Sequence, residues 1–315
     1  MASQNPADWY ESKPVLEKVK VRSNWGLTLF SVLLFALSFL YLFADELDFI
    51  FYLVLVLFLH ESGHYLLMKL FNYQDLRMLF IPLMGAFVQG SKDVFSQRES
   101  ILVALSGPIP GVFLGAIGLI LSVYFHWNWL VLLSFIFLFV NAVNLLPLDP
   151  LDGGQVLKVL LIKQQDWYGL IFSLFSSLVL IAIGFVLNDW LVIAFGFLMG
   201  FRVRAMQVNY KIRQSLEELD VNYYVTYDQL SNRDYHVIKE TLIEFRPAAA
   251  QYAQHLTEEN EQLMVRLVDE LLIPPMKRDL GIWAKALVII VWISGIVLPL
   301  YLLFTMDLNW YFAAL

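Results

Sequence analysis

Apolar and polar positions fall in long blocks along this chain. Apolar runs occupy residues 25–43, 49–71, 101–125, 129–146, 167–187, 190–203 and 282–304. A helix needs about 20 mostly apolar residues to cross ~30 Å of hydrocarbon. The runs therefore predict an all-α polytopic membrane protein with about seven transmembrane helices. Trp25, Trp129, Trp167, Trp190 and Trp310 stand at or near their ends, as in an aromatic belt. The first 24 residues are polar and show no short apolar region leading to a cleavage site. The stretch 207–280 is the one long polar block after the N-terminal arm. Within it, 231–244 predicts a helix with Ser231 as N-cap. Residues 257–272 predict another, apolar at Leu263, Met264, Leu267, Val268, Leu271 and Leu272, and ended by Pro274 and Pro275. The expected division is an arm over 1–24, a six-helix core over 25–206, a small helical cytoplasmic domain over 207–280, and a last span with an outer tail over 281–315. His236 and His255 in the polar block read as surface residues.

Composition narrows the class. The 315 residues are 59 % hydrophobic and 16 % charged, against about 45–50 % and ~25 % in a soluble domain. That excludes a disordered chain, a collagen, a coiled coil and a DNA-binding protein, so no nucleic-acid partner is expected. There is no cysteine, which excludes a disulfide framework, a cysteine zinc site, an iron–sulfur cluster and a thiol nucleophile. A metal would have to be held by His, Asp or Glu. Charge sets the topology. The connections 44–48, 126–128 and 188–189 and the segment after 304 hold none of the 21 Lys and Arg residues. The positive-inside rule then puts the N-terminus in the cytoplasm and the C-terminus outside, in a multi-pass plasma (inner) membrane protein.

His60-Glu61-Ser62-Gly63-His64 lies inside the second apolar run. On a helix His60 and His64 are one turn apart on one face, a spacing that lets two imidazoles share a zinc ion. Glu61 is adjacent and suited to take a proton from water polarised by the ion. Counting from Phe49 at ~1.5 Å per residue puts His60 ~16 Å and His64 ~22 Å into the bilayer, nearer the cytoplasmic face. Three ionisable groups inside an apolar span are expensive, which favours function over a satisfied core histidine. Two histidines leave a catalytic zinc one protein ligand short. The segment from Asn144 to Gly154, with Pro147, Asp149, Pro150, Asp152 and Gly153, breaks the helix at membrane depth. Asp152 starts a new helical run there. Its carboxylate suits a metal or, equally, an N-cap, and the Asn144 amide suits a developing oxyanion.

Together the two motifs resemble the site-2 protease family of intramembrane zinc metalloproteases, in its shorter prokaryotic form without a PDZ-like insertion. That family shows HExxH in one span and N-x-x-P-x-x-x-L-D-G in a later one, and both are complete here. The resemblance covers about residues 25–205. It implies one zinc bound by His60, His64 and Asp152, Glu61 as general base and acid, and Asn144 polarising the scissile carbonyl. Asp149 is the rival third ligand. It further implies a substrate that is a single-span membrane protein, such as a membrane-tethered regulator, cut within the lipid bilayer. The stretch 79–90 resembles the segment after the zinc helix, a membrane-associated β-hairpin thought to offer an edge strand to substrate. The residues agree in part. Residues 78–88 are β-prone, broken by Pro82 and Gly85, and too short to span, and an exposed edge binds extended peptide by strand addition. Pro82, Leu83, Met84, Gly85, Ala86, Phe87 and Val88 are the expected substrate contacts, against a re-entrant loop that only packs on the zinc helix. Ser106-Gly107-Pro108 resembles the family's G-P-x-x-N element, but Gly111 stands where that pattern has Asn. Gly107, Gly111 and Gly115 read as a small-residue packing face. Gln155 is a second departure, where many relatives have His or Arg. Two rivals remain at this point: a zinc-binding pseudoprotease that holds a membrane partner, and a metal transporter, though no second copy of either motif is present. For 207–280 the readings are substrate selection, ligand sensing or a homodimer through this domain.

Overall fold

The computed structural model describes residues 10–17, 25–161, 166–254, 257–307 and 311; His255 and Trp310 lie outside the described residues. The chain divides into two compact units.

The larger unit comprises 21–92, 96–197 and 278–315. It opens with α1 (Trp25–Leu42) and α2 (Leu47–Leu70), followed by an antiparallel hairpin of β1 (Gln74–Ile81) and β2 (Gly85–Ser91). Then come α3 (Gln97–Ser106), α4 (Pro108–Phe125), α5 (Asn128–Asn144), α6 (Asp152–Leu161), α7 (Asp166–Leu187) and the start of α8 (Trp190–Glu218). Another helix, Ile282–Thr305, completes it. Five helical stretches among the described residues are long and apolar enough to cross a membrane: α2, α3 with α4, α7, α8 and Ile282–Thr305. α1 and α5 are shorter apolar helices at the positions of two further expected spans. Length and apolarity thus single out five among the described residues. Two other boundaries differ from expectation. The run 101–125 is two helices broken at Gly107, because Pro108 supplies no N–H and starts the second one. The run 190–203 continues as helix to Glu218.

Hairpin register pairs Met78 with Val88, Leu79 with Phe87, Phe80 with Ala86 and Ile81 with Gly85. Leu76, Met78 and Phe80 alternate inward, and Met78 and Phe80 pack with Phe35 and Leu57. Leu83 (φ 61°) and Gly85 (φ 120°) form the turn. The outer edge of β1 is closed by α1. Thr28 Oγ1 donates to the Met78 carbonyl (2.9 Å), and the Phe80 N–H donates to Ser31 Oγ (3.1 Å).

The smaller unit comprises 1–20, 93–95 and 198–277. Besides the end of α8 it contains α9 (Asn232–Phe245), α10 (Ala250–Gln254) and α11 (Glu258–Asp269); the helix Ile282–Thr305 of the larger unit is α12. Ser231 and Thr257 cap α9 and α11 by accepting from Asp234 N–H (3.0 Å) and Asn260 N–H (3.3 Å). Ile212, Leu216, Tyr235, Ile238, Leu242, Met264, Val265 and Val268 form its core. Residues 10–17 run along this domain. Lys13 Nζ donates to the carbonyls of Tyr227, Asp228 and Leu230, and Tyr227 donates its hydroxyl to the Pro14 carbonyl (2.7 Å). Gln262 brackets Val15 and Glu17. His236 is half-covered rather than fully exposed, because Tyr10 stacks on its ring (5.8 Å between centroids). Burial in the Tyr227–Tyr235 pair pushes the Tyr235 phenol up to about 12.

Candidate metal centre

α2 sets His60 and His64 one helical turn apart, and both rings, with Glu61, are buried. Asp152, the first residue of α6, completes a group of three. His60 Nε2 and His64 Nε2 are 3.1 Å apart, and Asp152 Oδ2 lies 3.1 Å from the first and 3.2 Å from the second. Zinc arms of ~2.0–2.1 Å in a tetrahedron put ligand atoms ~3.3–3.4 Å apart, close to this triangle.

The proton positions follow from the partners. His64 Nδ1 is 2.7 Å from the Val103 carbonyl, which only accepts, so Nδ1 carries the hydrogen. Asn141 Nδ2 donates to the Phe137 carbonyl (2.7 Å), which leaves Oδ1 to face His60 Nδ1, also at 2.7 Å. His60 Nδ1 must therefore donate as well. Both imidazoles turn a bare Nε2 lone pair towards a carboxylate oxygen. Three acceptors converging on one point repel unless a cation or a shared proton sits among them, so the donor set fits zinc.

The α3–α4 break forms the wall of this cradle. A Cβ on Gly63 would run into the Ser106 carbonyl, so only glycine lets α2 come this close. A Cβ on Gly107 would collide with His64 Nε2 and come within 2.9 Å of His60 Nε2, filling the point of convergence. Gly107→Ala is expected to lower zinc affinity at least ~10-fold, as read by competition with a chelator. Gly115 does pack on α5, against Phe137 and Leu138, whereas Gly107 faces the histidines, so the three glycines are not one packing face.

Glu61 is outside the group of three but close to both imidazoles and Asp152, with the Val88 backbone N–H of β2 beside its carboxylate. That N–H points from the edge of β2 not paired with β1. Of the expected hairpin contacts, Val88 is thereby at the centre. Ala86 packs inward beside α1 and α2, and Pro82, Leu83 and Met84 sit in the turn, with the Leu83 N–H donating to Ser38 Oγ (3.3 Å). Phe87 is exposed.

Asn144 ends α5, and its Nδ2 donates to Val140 of its own helix (3.0 Å) rather than to the group of three. Asp149 is engaged elsewhere. Its carboxylate receives Lys158 Nζ (2.6 Å) and the Ser173 hydroxyl, and its N–H donates to Ser176 Oγ (3.0 Å). Asp152 is the aspartate that joins the histidines. Sequence reasoning missed Asn141. A polar residue within an apolar span was the available signal.

Residues 53–148 match the family described as "DUF3267: Putative zincin peptidase". The matched stretch includes His60, Glu61, His64, the hairpin and Asn144, and stops short of Asp152. The chain is 28 % identical over 114 residues to a zinc metalloprotease of Methanocaldococcus jannaschii, covering 35 % of this chain and 33 % of the relative. It is 31 % identical over 114 residues to stage IV sporulation protein FB of Bacillus subtilis, covering 36 % and 40 %. The aligned stretch thus spans a third to two-fifths of the length of these relatives. The solved structure of a site-2 protease from Methanocaldococcus jannaschii matches with a TM-score of 0.44 and 21 % identity, over 56 % of this chain and 88 % of that one. The family match and the two relatives found by sequence agree with the resemblance that the two motifs carry.

Proposed function

We propose that this chain, a site-2-protease relative by its motifs and its matches, is an intramembrane zinc metalloprotease that hydrolyses a peptide bond in or near the transmembrane segment of a single-span protein. The observation that carries this is the convergence of His60 Nε2, His64 Nε2 and Asp152 Oδ2 beside a buried glutamate that is not one of the three. Zinc held there would supply Lewis acidity and bring the pKa of water towards ~7. Glu61 accepts the proton of the attacking water and returns it to the leaving nitrogen. Asn144 turns its amide from Val140 to the developing oxyanion. Transmembrane helices hide their carbonyls in i→i−4 bonds, so the substrate has to unwind. The outward edge of β2, which lies beside the Glu61 carboxylate at Val88, takes the unwound strand by backbone pairing.

The distribution of Lys and Arg supports seven crossings, a cytoplasmic N-terminus, an outer C-terminus and a site open towards the cytoplasm. For the 207–280 domain the readings are substrate selection, ligand sensing or a homodimer through it. The test is co-reconstitution of the purified protein with membrane-tethered single-span regulators in liposomes. Cleavage inside or beside the substrate's apolar segment is expected, abolished by a zinc chelator and restored by zinc. Cleavage that survives metal removal, or zinc binding with no cleavage of any single-span protein, overturns the proposal; the second outcome favours a partner-holding pseudoprotease.

A further inference from the structure

We infer that Asn141 is the positioning residue for His60, and that it supplies from α5 the amide that α4 lacks at Gly111. The inference deepens the zinc reading above and rests on it.

Asn141 is fully buried in an apolar helix. An amide so placed is costly unless its groups are bonded, and here both ends are. Nδ2 is committed to the Phe137 carbonyl and Oδ1 to His60 Nδ1, each at 2.7 Å. The amide cannot flip, because its NH2 would then face an N–H and its oxygen a carbonyl. One orientation of Asn141 therefore holds one orientation and one tautomer of His60, with Nε2 bare and aimed at Asp152. His64 gets the same service from a main-chain carbonyl. His60 depends on a side chain, and so on a residue that can be exchanged.

Gly111 shows how the amide came to fit. A Cβ built there would collide with Cγ, Oδ1 and Nδ2 of Asn141. The space beside His60 has room for one amide, entering from α4 or from α5 but not from both. Gly111 is also the position at which the sequence departs from G-P-x-x-N. The missing asparagine of α4 and the unanticipated asparagine of α5 are thus one exchange across a helix pair.

The experiment uses the full-length protein in nanodiscs with 15N-labelled histidine, together with zinc titration against a competing chelator. In the metal-free wild type, His60 is expected to be protonated at Nδ1. Asn141→Leu should lose that single tautomer and weaken zinc ~10–100-fold, the usual loss when a ligand's hydrogen-bond partner is removed. Asn141→Asp keeps the acceptor for His60 Nδ1 but sets its second oxygen against the Phe137 carbonyl, so it should lose less zinc affinity than Asn141→Leu. Gly111→Asn should weaken zinc, and the double variant Gly111→Asn/Asn141→Gly should recover most of that loss. Retention of the tautomer and the zinc affinity in Asn141→Leu would overturn the inference. So would equal losses in the Leu and Asp variants, or a double variant no better than Gly111→Asn. A wild type that binds no zinc overturns the proposed function instead, while the tautomer comparison, which needs no metal, still decides the role of Asn141.

Discussion

Glu61→Gln is expected to keep zinc and lose peptide hydrolysis by ~10²–10⁴-fold, the usual worth of a positioned general base. Glu61 contributes no atom to the group of three, so the metal is retained. Gln has the same shape and fits the same buried space. What disappears is the ability to take a proton from water. Zinc content, melting temperature and substrate cleavage, measured on one preparation, separate these effects. A Gln variant that cleaves at the wild-type rate rules Glu61 out as the base. One that loses zinc along with activity shows that the carboxylate helps to hold the metal.

Lys158→Met should be strongly destabilising. Asp149 is 4 % exposed and pairs with Lys158 Nζ, and it also bonds Ser173 and Ser176. Removing one partner of a buried ion pair costs about 3–5 kcal/mol. Lys158 is itself only partly buried, and water can reach the remaining carboxylate in part, so the lower end of that range is expected. The double variant Asp149→Leu/Lys158→Met should regain most of the loss, since replacing both charges by apolar groups is often neutral. Unfolding from mixed micelles by rising denaturing detergent reads both. Equal stability of Lys158→Met and wild type would mean that the pair is solvated.

The helices and the centre of the site were legible for one physical reason. Apolar solvent makes interruptions conspicuous, and His60, Glu61, His64 and the Asp149–Asp152 loop are such interruptions. Ser231 and Thr257 were legible or nearly so because an N-cap is a local bond. What stayed hidden depends on distant or backbone partners. Asn141 acquires its meaning from His60, 81 positions earlier in the chain. The α3–α4 break is masked by hydropathy that runs on unchanged through Gly107 and Pro108. α8 outlasts its apolar run, since a helix leaving lipid needs only a new polar face. The strands extend past the expected 78–88 to Gln74 and Ser91, through Asp75 and Gly90, residue types depleted in strands. Closure of β1 by Thr28 and Ser31 could not be read either, because hydroxyls in an apolar helix usually turn back on their own carbonyls.

Lys13 has a consequence for anyone dissecting the molecule. Its ammonium gathers three carbonyls around the Tyr227–Leu230 turn, while its neighbours lie along Tyr227 and Gln262. A recombinant fragment starting near residue 207 would omit all of this, leaving those carbonyls to water and Tyr227 without its hydroxyl acceptor. The excisable piece is therefore discontinuous in sequence. A soluble version needs residues 10–17 grafted by a linker, or added in trans as a peptide whose capture reports on the integrity of the folded fragment.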